Sequence, residues 1–310
     1  MRKWKVNENY FEKIDSDDKA YWLGFMCADG NVEHPKCCKN ARRLKISLAW
    51  SDREILEKLK NKIGSDFKIR HEFHQGHSCS EMAVLEINST KIASDIKKLG
   101  CIENKTLQLQ FPTESQVPRK FQYAFIRGYF DGDGCVWEGK RYFKVFPSRP
   151  KGMTIHNVKF NITGYIPFIS ALQDVLVRDL KFKKTKLGLY TSRTNTPVCT
   201  LEYSGRNNLK TFYNYIYKDA SIFLERKKNK FEGIFCALSE KSGCETGLIA
   251  GNSEMTTSSQ ASNLEEGSST IPEMEVESSD SKCPAPTSNI EGEDIVNSHI
   301  KSSVSHMAGN

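Results

Sequence analysis

The sequence predicts an α+β fold made of two related halves, followed by a disordered tail. Three observations lead to this prediction. A short motif recurs at an offset of 104 residues, helix and strand signals follow each copy in the same order, and the composition changes sharply after residue 236. A chain of 310 residues is long enough for one large domain or two ordinary ones.

The recurring motif predicts a helix with one face of small residues. Residues 20–32 match residues 124–136, and an Ala, a Gly, an Asp and a second Gly recur in place. Small residues occupy every fourth position, which aligns them on one helix face: Ala20, Gly24 and Ala28 in the first copy, and Ala124, Gly128 and Gly132 in the second. Because a Gly inside a helix costs about 1 kcal/mol relative to Ala, its use in both copies predicts close packing of the two helices.

Both helices carry start and stop signals. Candidate N-terminal signals are Asp15, Ser16 and Asp17 for the first helix and Pro118 for the second. Gly30 and Gly134 follow the two motifs, and a Gly in this place is typical of a helix C-terminal cap.

The last turn of each helix ends in an aspartate, Asp29 in the first copy and Asp133 in the second. A negative side chain is unfavourable there because the helix dipole already presents negative charge. Two such ends side by side would attract a cation. A structural alternative is that each Asp caps the turn that follows, which explains one copy but not its repetition beside a shared contact face.

The segments after each motif predict the same order of elements twice: helix, strands, helix, strands, helix. The expected strands are Leu44–Trp50, Phe67–Phe73 and Ala83–Ile87, then Lys159–Thr163, Lys186–Thr191 and Val198–Tyr203. The expected helices are Asp52–Ile63 and Lys91–Leu99, then Pro167–Leu180 and Asn208–Tyr217. Antiparallel strands with one solvated face could form a long concave surface in each half.

Basic residues recur on the predicted strand regions of both halves. They are Arg42, Arg43, Lys45, Lys68, Arg70, His71 and His74 in the first half, and Lys140, Arg141, Lys144, Lys183, Lys184 and Lys186 in the second. A two-stranded ribbon fits the major groove of DNA, so these residues are expected to contact DNA. Each of them taken alone could equally be a solvated surface charge.

The charge distribution separates a basic body from an acidic tail. Residues 1–236 hold 42 basic and 26 acidic side chains, an excess of 16, whereas residues 237–310 hold three basic and twelve acidic ones. The basic body suits a polyanionic partner such as nucleic acid. The tail has sixteen Ser in 74 residues and no aromatic side chain, so it is expected to be disordered.

The lack of a recognisable targeting signal and the pattern of cysteines favour an intracellular protein. The first eighteen residues contain no apolar run like that of a signal peptide, and no apolar stretch is long enough to span a membrane. The ten Cys have irregular spacings and are expected to be reduced thiols. The nucleus, an organelle and the bacterial cytoplasm are not distinguished.

Residues 22–30 and 126–134 resemble the nine-residue motif of the LAGLIDADG homing endonuclease family, in its single-chain form with two motifs. The resemblance covers about residues 10–235 and implies an αββαββα unit repeated twice, with the motif helices at the interface. It divides the chain into a first half, 1–115, a second half, 116–236, and the tail, 237–310. The eighth motif residue is the family's acidic metal ligand, which is Asp29 in one copy and Asp133 in the other.

The resemblance also implies an active-site lysine after the third helix of each half. These are Lys105 and Lys227, although Arg226 and Lys228 leave the register in the second half open. A cation there can stabilise charge developing on a phosphate or help to activate water. A simple contact with the phosphate backbone, or a solvated charge, is the alternative.

The two copies differ at the sixth motif position, where Cys27 stands in the first copy and Asp131 in the second. In the family this position belongs to the helix end and not to the metal site. The difference is therefore expected to affect local capping more than catalysis.

The function implied by the resemblance is cleavage of double-stranded DNA at a specific site, as in intron homing. Two carboxylates suit Mg²⁺, or another divalent cation such as Mn²⁺, because such an ion binds through one or two carboxylates together with substrate phosphates. The resemblance implies a double-strand break with short 3′ overhangs. One chain supplies both halves, so the protein is expected to act as a monomer with internal pseudo-twofold symmetry.

Other functions share the predicted fold or composition. Some proteins of the family act as maturases that assist intron splicing, so RNA is a second candidate partner. A DNA-binding regulator would be expected to have lost the motif acids, and an intein would need a flanking splicing domain. A zinc site is a further alternative, with ligands drawn from His71, His74, His77 and Cys79 and from His34, Cys37 or Cys38, but the spacing matches no strong zinc-finger pattern.

Overall fold

The computed structural model describes residues 4–33, 41–74, 80–101, 105–143, 153–189 and 197–245. Two consecutive halves each run in the order helix, two strands, helix, two strands, helix. The predicted α+β class and the repeated αββαββα order are therefore confirmed.

The first half contains three helices and four strands within the described residues. They are α1 (Asp17–Asp29), β1 (Gly30–Glu33), β2 (Arg43–Ala49), α2 (Arg53–Lys62), β3 (Ile69–His74), β4 (Ser80–Ile87) and α3 (Thr90–Lys98). A short 3₁₀ turn, Trp50–Asp52, joins β2 to α2, and another, Lys105–Leu107, follows α3.

The second half repeats this order and adds a long final helix. Its elements are α4 (Gln122–Asp133), β5 (Gly134–Phe143), β6 (Met153–Tyr165), α5 (Ile166–Leu180), β7 (Gly188–Leu189), β8 (Val198–Ser204), α6 (Arg206–Tyr217) and α7 (Glu225–Glu245). Of the predicted strands, Lys186–Thr191 is reduced to two residues among those described, and Lys159–Thr163 extends to thirteen.

The ends of the motif helices follow the sequence signals with one change. The Ser16 hydroxyl accepts a hydrogen bond from the Lys19 backbone N–H at 3.4 Å, which caps α1. Gly30 and Gly134 end their helices in extended conformation, with φ of −78° and −87°, and each is already the first residue of a strand. Both glycines are therefore the C-terminal caps that the sequence predicts, although neither adopts the left-handed conformation common at such caps. A Cβ on Gly30 would lie 2.7 Å from the Met26 carbonyl oxygen, so the constraint on this residue is steric.

Each half forms a four-stranded antiparallel sheet, with strand orders β1-β2-β4-β3 and β5-β6-β8-β7. The first strand of each sheet, β1 or β5, was not among the predicted strands. Gly30 pairs with Ile46, and Gly134 pairs with Ile162. Each motif helix therefore leads directly into its sheet, and its terminal aspartate precedes the first strand by one residue.

One side of each sheet is covered by helices. Along β2, Leu44, Ile46 and Leu48 are buried against the layer of α2 and α3, while the intervening residues face the other way. In the second half, α5 and α6 pack on β6 and β8. We call the opposite side of each sheet, which carries Lys45 in the first half and Lys159 in the second, the open face.

The chain divides into two compact units, Met1–Ala237 and Leu238–Asn310. Helix α7 ends at Glu245, so the first nine residues assigned to the tail are helical. The predicted disorder of residues 246–310 lies outside the described residues. Among the described helices, none is both long and apolar enough to cross a membrane.

Candidate active site and nucleic-acid interface

The two motif helices pack against each other through their glycines. A Cβ on Gly24 would overlap the Phe125 carbonyl oxygen and lie 2.9 Å from its carbon. A Cβ on Gly128 would overlap the Tyr21 carbonyl oxygen and lie 2.9 Å from that carbon. The two clashes are related by the 104-residue offset, so the repeat in sequence is a twofold relation in space.

This packing brings the C-terminal ends of α1 and α4 together. A Cβ on Gly132 would overlap the Ala28 Cβ and lie 2.9 Å from the Asp29 Oδ2 atom. The Asp29 carboxylate therefore lies across the interface against the last turn of α4, where Asp133 is the final residue. Only one of the two facing positions can carry a methyl group, which explains why the repeat has Ala in one copy and Gly in the other.

The two carboxylates share an unfavourable electrostatic environment. Burial, assisted by the negative charge of Asp133, raises the pKa of Asp29 to about 7. Asp133 is accessible to solvent, but the dense protein around it reduces its hydration and raises its pKa as well. Lys105 and Lys227 oppose both shifts. Such an arrangement favours the binding of a cation, which would relieve the repulsion.

The two predicted lysines occupy equivalent places at the helix ends. The Lys105 ammonium donates to the carbonyls of Met26 at 2.8 Å, Ala28 at 2.6 Å and Gly30. The Lys227 ammonium does the same in the second half, donating to the carbonyls of Phe130 at 3.3 Å, Gly132 at 3.1 Å and Gly134. The two sets of acceptors differ by 104 residues throughout. Each lysine thus places its charge at the negative end of a helix dipole, beside an aspartate.

These contacts also decide the register that the sequence left open. Arg226 is turned away from the helix end and forms two hydrogen bonds with Asp52, at 2.8 and 3.0 Å. The Lys228 ammonium lies over the Phe223 ring, 4.3 Å from its centroid. Lys227 is therefore the residue equivalent to Lys105, and burial lowers its pKa.

The donor atoms at the paired helix ends fit a hard divalent cation. Two carboxylates suit Mg²⁺, which takes oxygen ligands, retains waters and completes its coordination with substrate phosphates. No group of three or more His, Cys, Asp or Glu side chains lies close enough to hold a metal within the described part of the chain.

The zinc alternative rests mainly on residues outside the described ranges. Of its candidates, only His71 has a described side chain, which stacks on Trp50 at 3.9 Å and contacts Glu81 at 3.2 Å. The His71 ring thus has an aromatic partner on its face and a carboxylate partner at Nε2.

The open face of the first sheet carries a ladder of five charged side chains. Arg43 contacts Glu33 at 2.6 Å and Glu86 at 3.1 Å, and Arg70 contacts the same Glu86 oxygen at 3.0 Å and Glu72 at 2.9 Å. The Arg70 hydrogen bond holds the pKa of Glu86 below its usual value. We call this set the charge ladder. Its two arginines were predicted to contact DNA, but its three glutamates were missed because acidic residues are not a signal for nucleic-acid binding.

The other residues predicted to contact DNA lie at different places on and beside the two sheets. Lys45 lies on the open face opposite Glu86 of the charge ladder, and Lys68 precedes β3 and is exposed. Arg42 precedes β2, and its backbone N–H donates to Thr90. In the second half, Lys140 has the strand register of the buried Val136 but lies further along β5, where it is exposed. The backbone of Arg141 pairs with that of Ile155. The DNA contacts of both residues stay a prediction.

The segment between α5 and β7 holds the remaining predicted contacts. Lys183, Lys184 and Lys186 are exposed there, and Lys184 pairs with Asp174 of α5 at 2.6 Å. Lys144 lies outside the described residues. A contact that was not predicted is the pair Lys159–Glu202 on the open face, at 2.6 Å, with the Lys159 ammonium over the Trp137 ring.

The fold and these geometries define a pseudo-dimeric α+β protein with a candidate metal centre between its halves. Comparison with solved structures finds LAGLIDADG homing endonucleases. The meganuclease I-AabMI bound to uncleaved DNA has a TM-score of 0.47 and 14% identity, covering 74% of this chain and 92% of that one. I-SmaMI bound to uncleaveable DNA has a TM-score of 0.45 and 13% identity, with 76% and 100% covered. I-LtrWI bound to target DNA has a TM-score of 0.43 and 13% identity, with 76% and 92% covered.

Sequence comparison adds one curated relative. The DNA-directed RNA polymerase subunit Rpo1C of Methanocaldococcus jannaschii is 26% identical over 156 residues, which is 48% of this chain. The match spans 16% of the length of that relative. No protein-family model matches the chain.

Proposed function

We propose that the protein is a site-specific endonuclease that hydrolyses phosphodiester bonds in both strands of duplex DNA with a divalent metal, as a single-chain homing endonuclease. The observation that carries the proposal is the pairing of Asp29 and Asp133 at two helix ends, each beside a lysine held by three carbonyls. One chain supplies both halves of this centre, so it acts as a monomer with internal twofold symmetry.

The carboxylates provide the metal ligands. Their raised pKa values reflect a centre in which negative charge is poorly solvated without a cation. When bound, Mg²⁺ would polarise the phosphate, lower the pKa of a water nucleophile and stabilise the leaving oxygen. Asp29 and Asp133 would hold the ion from opposite halves, and each half would then serve one strand.

The lysines supply fixed positive charge. Lys105 and Lys227 are anchored by the carbonyl groups of residues 26, 28 and 30 and of residues 130, 132 and 134. A cation held in this way needs little reorganisation to stabilise charge that develops on the phosphate.

The open faces provide the DNA-binding surface. Arg43 and Arg70 can donate in pairs to a guanine edge, and the glutamates of the charge ladder can accept from cytosine. The ladder holds both arginines extended across the sheet before DNA binds, which reduces the entropy lost on binding. The basic excess of the folded body favours the phosphate backbone in general.

The test is selection for cleavage from a randomised duplex library in Mg²⁺, followed by sequencing of the cut ends. We expect one enriched target cut on both strands, and no enrichment with the Asp29→Asn/Asp133→Asn double variant. Absence of cutting by the wild-type chain in both Mg²⁺ and Mn²⁺ would contradict the proposal. Tight binding of intron RNA under those conditions would favour the maturase alternative.

The fit of Asp29 against Gly132 leads to a more specific prediction. Gly132→Ala is expected to slow cleavage at least tenfold, because the new methyl group would press on the Asp29 carboxylate and a shift of about 1 Å in a reacting group can cost a hundredfold in rate. Single-turnover cleavage of the selected target measures the effect.

A double variant separates the site from the fold. Ala28→Gly/Gly132→Ala removes the overlap of the two methyl groups but leaves the new methyl 2.9 Å from the Asp29 Oδ2 atom. Its melting temperature should recover towards the wild-type value while cleavage stays slow. Full cleavage by Gly132→Ala alone would show that the position of Asp29 is not critical.

A further inference from the structure

Asp131 is a buried carboxylate that the proposed metal chemistry does not use. It lies on α4 and is fully inaccessible to solvent. Its oxygens accept three hydrogen bonds, from the Tyr21 hydroxyl at 2.9 Å, the Tyr217 hydroxyl at 2.5 Å and the Leu224 backbone N–H at 2.8 Å. These donors come from α1, from α6 and from the residue before α7, so one side chain joins both halves to the start of the final helix.

The contact with Leu224 leads directly to Lys227. The Leu224 carbonyl accepts hydrogen bonds from the backbone N–H groups of Lys227, at 3.0 Å, and Lys228, at 3.3 Å, which forms the first turn of α7. Asp131 therefore holds Leu224, whose carbonyl accepts the backbone hydrogen bonds of the first turn of α7. The Lys227 ammonium then returns to the carbonyls on either side of Asp131, at residues 130 and 132. The backbone and the side chain of this segment are thus both fixed to the last turn of α4.

The first half holds its lysine by different chemistry. Cys27 occupies the position equivalent to Asp131 and is buried beside Cys101, four residues before Lys105. The Cys101 thiol donates a hydrogen bond to the Met26 carbonyl at 3.3 Å. A thiol is a weak donor and a weak acceptor, so this link is weaker than a carboxylate with three strong donors. The two halves are symmetric in backbone but not in how the lysine segment is fixed.

We propose that Asp131 is the positioning residue of Lys227, and that it controls cleavage of only one of the two DNA strands. The inference rests on the proposed endonuclease function. In the second half the backbone turn that carries Lys227 is fixed through one buried carboxylate, so loss of that carboxylate shifts the turn and weakens the three carbonyl contacts of the Lys227 ammonium. The first half has no such carboxylate and keeps Lys105 in place. Cleavage of one DNA strand therefore depends on Asp131, and cleavage of the other DNA strand does not.

The test measures the cleavage of each strand separately. The selected target carries a different fluorophore on each strand, and single-turnover rates are recorded for Asp131→Asn, Tyr217→Phe, Lys227→Met and Lys105→Met. We expect Asp131→Asn to slow by at least tenfold the strand that Lys227→Met slows, with the other strand within twofold of wild type, so that nicked DNA accumulates. Lys105→Met should slow the opposite strand. Tyr217→Phe keeps two of the three donors and should have the same strand preference with a smaller effect.

Equal slowing of both strands by Asp131→Asn would overturn the proposal, because general destabilisation does not distinguish strands. No slowing of either strand would also overturn it. Hydrogen exchange of the DNA-free protein gives a readout that does not depend on cleavage: Asp131→Asn should speed exchange in residues 224–230 and leave the segment around Lys105 unchanged. Unchanged exchange in residues 224–230 would overturn the positioning role. If this exchange result holds and no DNA is cut, it is the endonuclease function that fails and not the positioning.

Discussion

Asp29→Asn is expected to reduce cleavage of duplex DNA at least a hundredfold, and Asp133→Asn the same. Each change removes one of the two negative charges that would hold the metal, and electrostatic groups at a reacting phosphate typically contribute such factors. Single-turnover assays at saturating Mg²⁺ measure the effect. The matched control is Glu57→Gln, which removes an exposed carboxylate on α2 and should remain within twofold of wild type. Full-rate cutting of both strands by either Asn variant would contradict the assignment of paired ligands.

The same Asp29→Asn change is expected to stabilise the metal-free protein at neutral and higher pH. The pKa of Asp29 is raised from 3.8 to about 7, so its charged form is disfavoured in the folded state. The resulting cost is absent below pH 4, grows as the pH rises and is complete above pH 7, where it is on the order of a few kcal/mol. Asp29→Asn removes this cost.

Melting curves at pH 5 and pH 8 with EDTA test this expectation. The variant should gain stability relative to wild type at pH 8 and much less at pH 5. Added Mg²⁺ should stabilise the wild-type protein more than the variant, because a ligand that binds only the folded state raises its stability. An equal shift at both pH values would show that the charge of Asp29 is not the cause.

Gly24→Ala and Gly128→Ala are each expected to destabilise the protein by about 3 kcal/mol, which lowers the melting temperature by about 6 to 12 °C. In both cases the added methyl group would overlap a backbone carbonyl oxygen of the facing helix. Backbone cannot rotate away as a side chain can, so the helices must separate. Thermal denaturation followed by circular dichroism measures the effect.

Gly233→Ala is the matched control for these two substitutions. Gly233 also lies inside a helix, but a Cβ there would meet nothing within 4 Å. Ala is favoured over Gly in a helix by up to about 1 kcal/mol, so this variant should be slightly more stable than wild type. If all three variants behave alike, close packing of α1 on α4 is not what the glycines provide.

Much of the fold follows from local pattern. The small residues at every fourth position, the aspartate in the last turn of each motif helix and the alternation of apolar residues along β2 are all periodic in the chain. Strands β1 and β5 were missed because each begins at the Gly that ends a helix, where the stop signal for the helix obscures the start of the strand. Helix α7 was not among the predicted helices, because its sequence changes partway along from a basic segment to an acidic, Ser-rich composition.

The candidate site was only partly predictable. Asp29, Asp133 and Lys105 stand out by repetition or by resemblance, but Lys227 could not be separated from its two basic neighbours. The partners of Asp131 lie 86 to 110 positions away from it along the chain, with Tyr21 at 110, Leu224 at 93 and Tyr217 at 86, in no periodic pattern. Side chains brought together from such distances leave no local signal.

The amino-acid sequence by itself determined that two small-faced helices end in aspartates and that a basic body of two similar units precedes an acidic segment. These properties depend on spacing and composition, which can be read without knowing what the chain contacts. Only the tertiary structure decided that Lys227 and not Arg226 reaches the helix end, that Arg43 and Arg70 meet at Glu86, and that Asp131 joins three elements. Each of these depends on where a side chain meets a distant part of the chain, and that is set by packing and strand register.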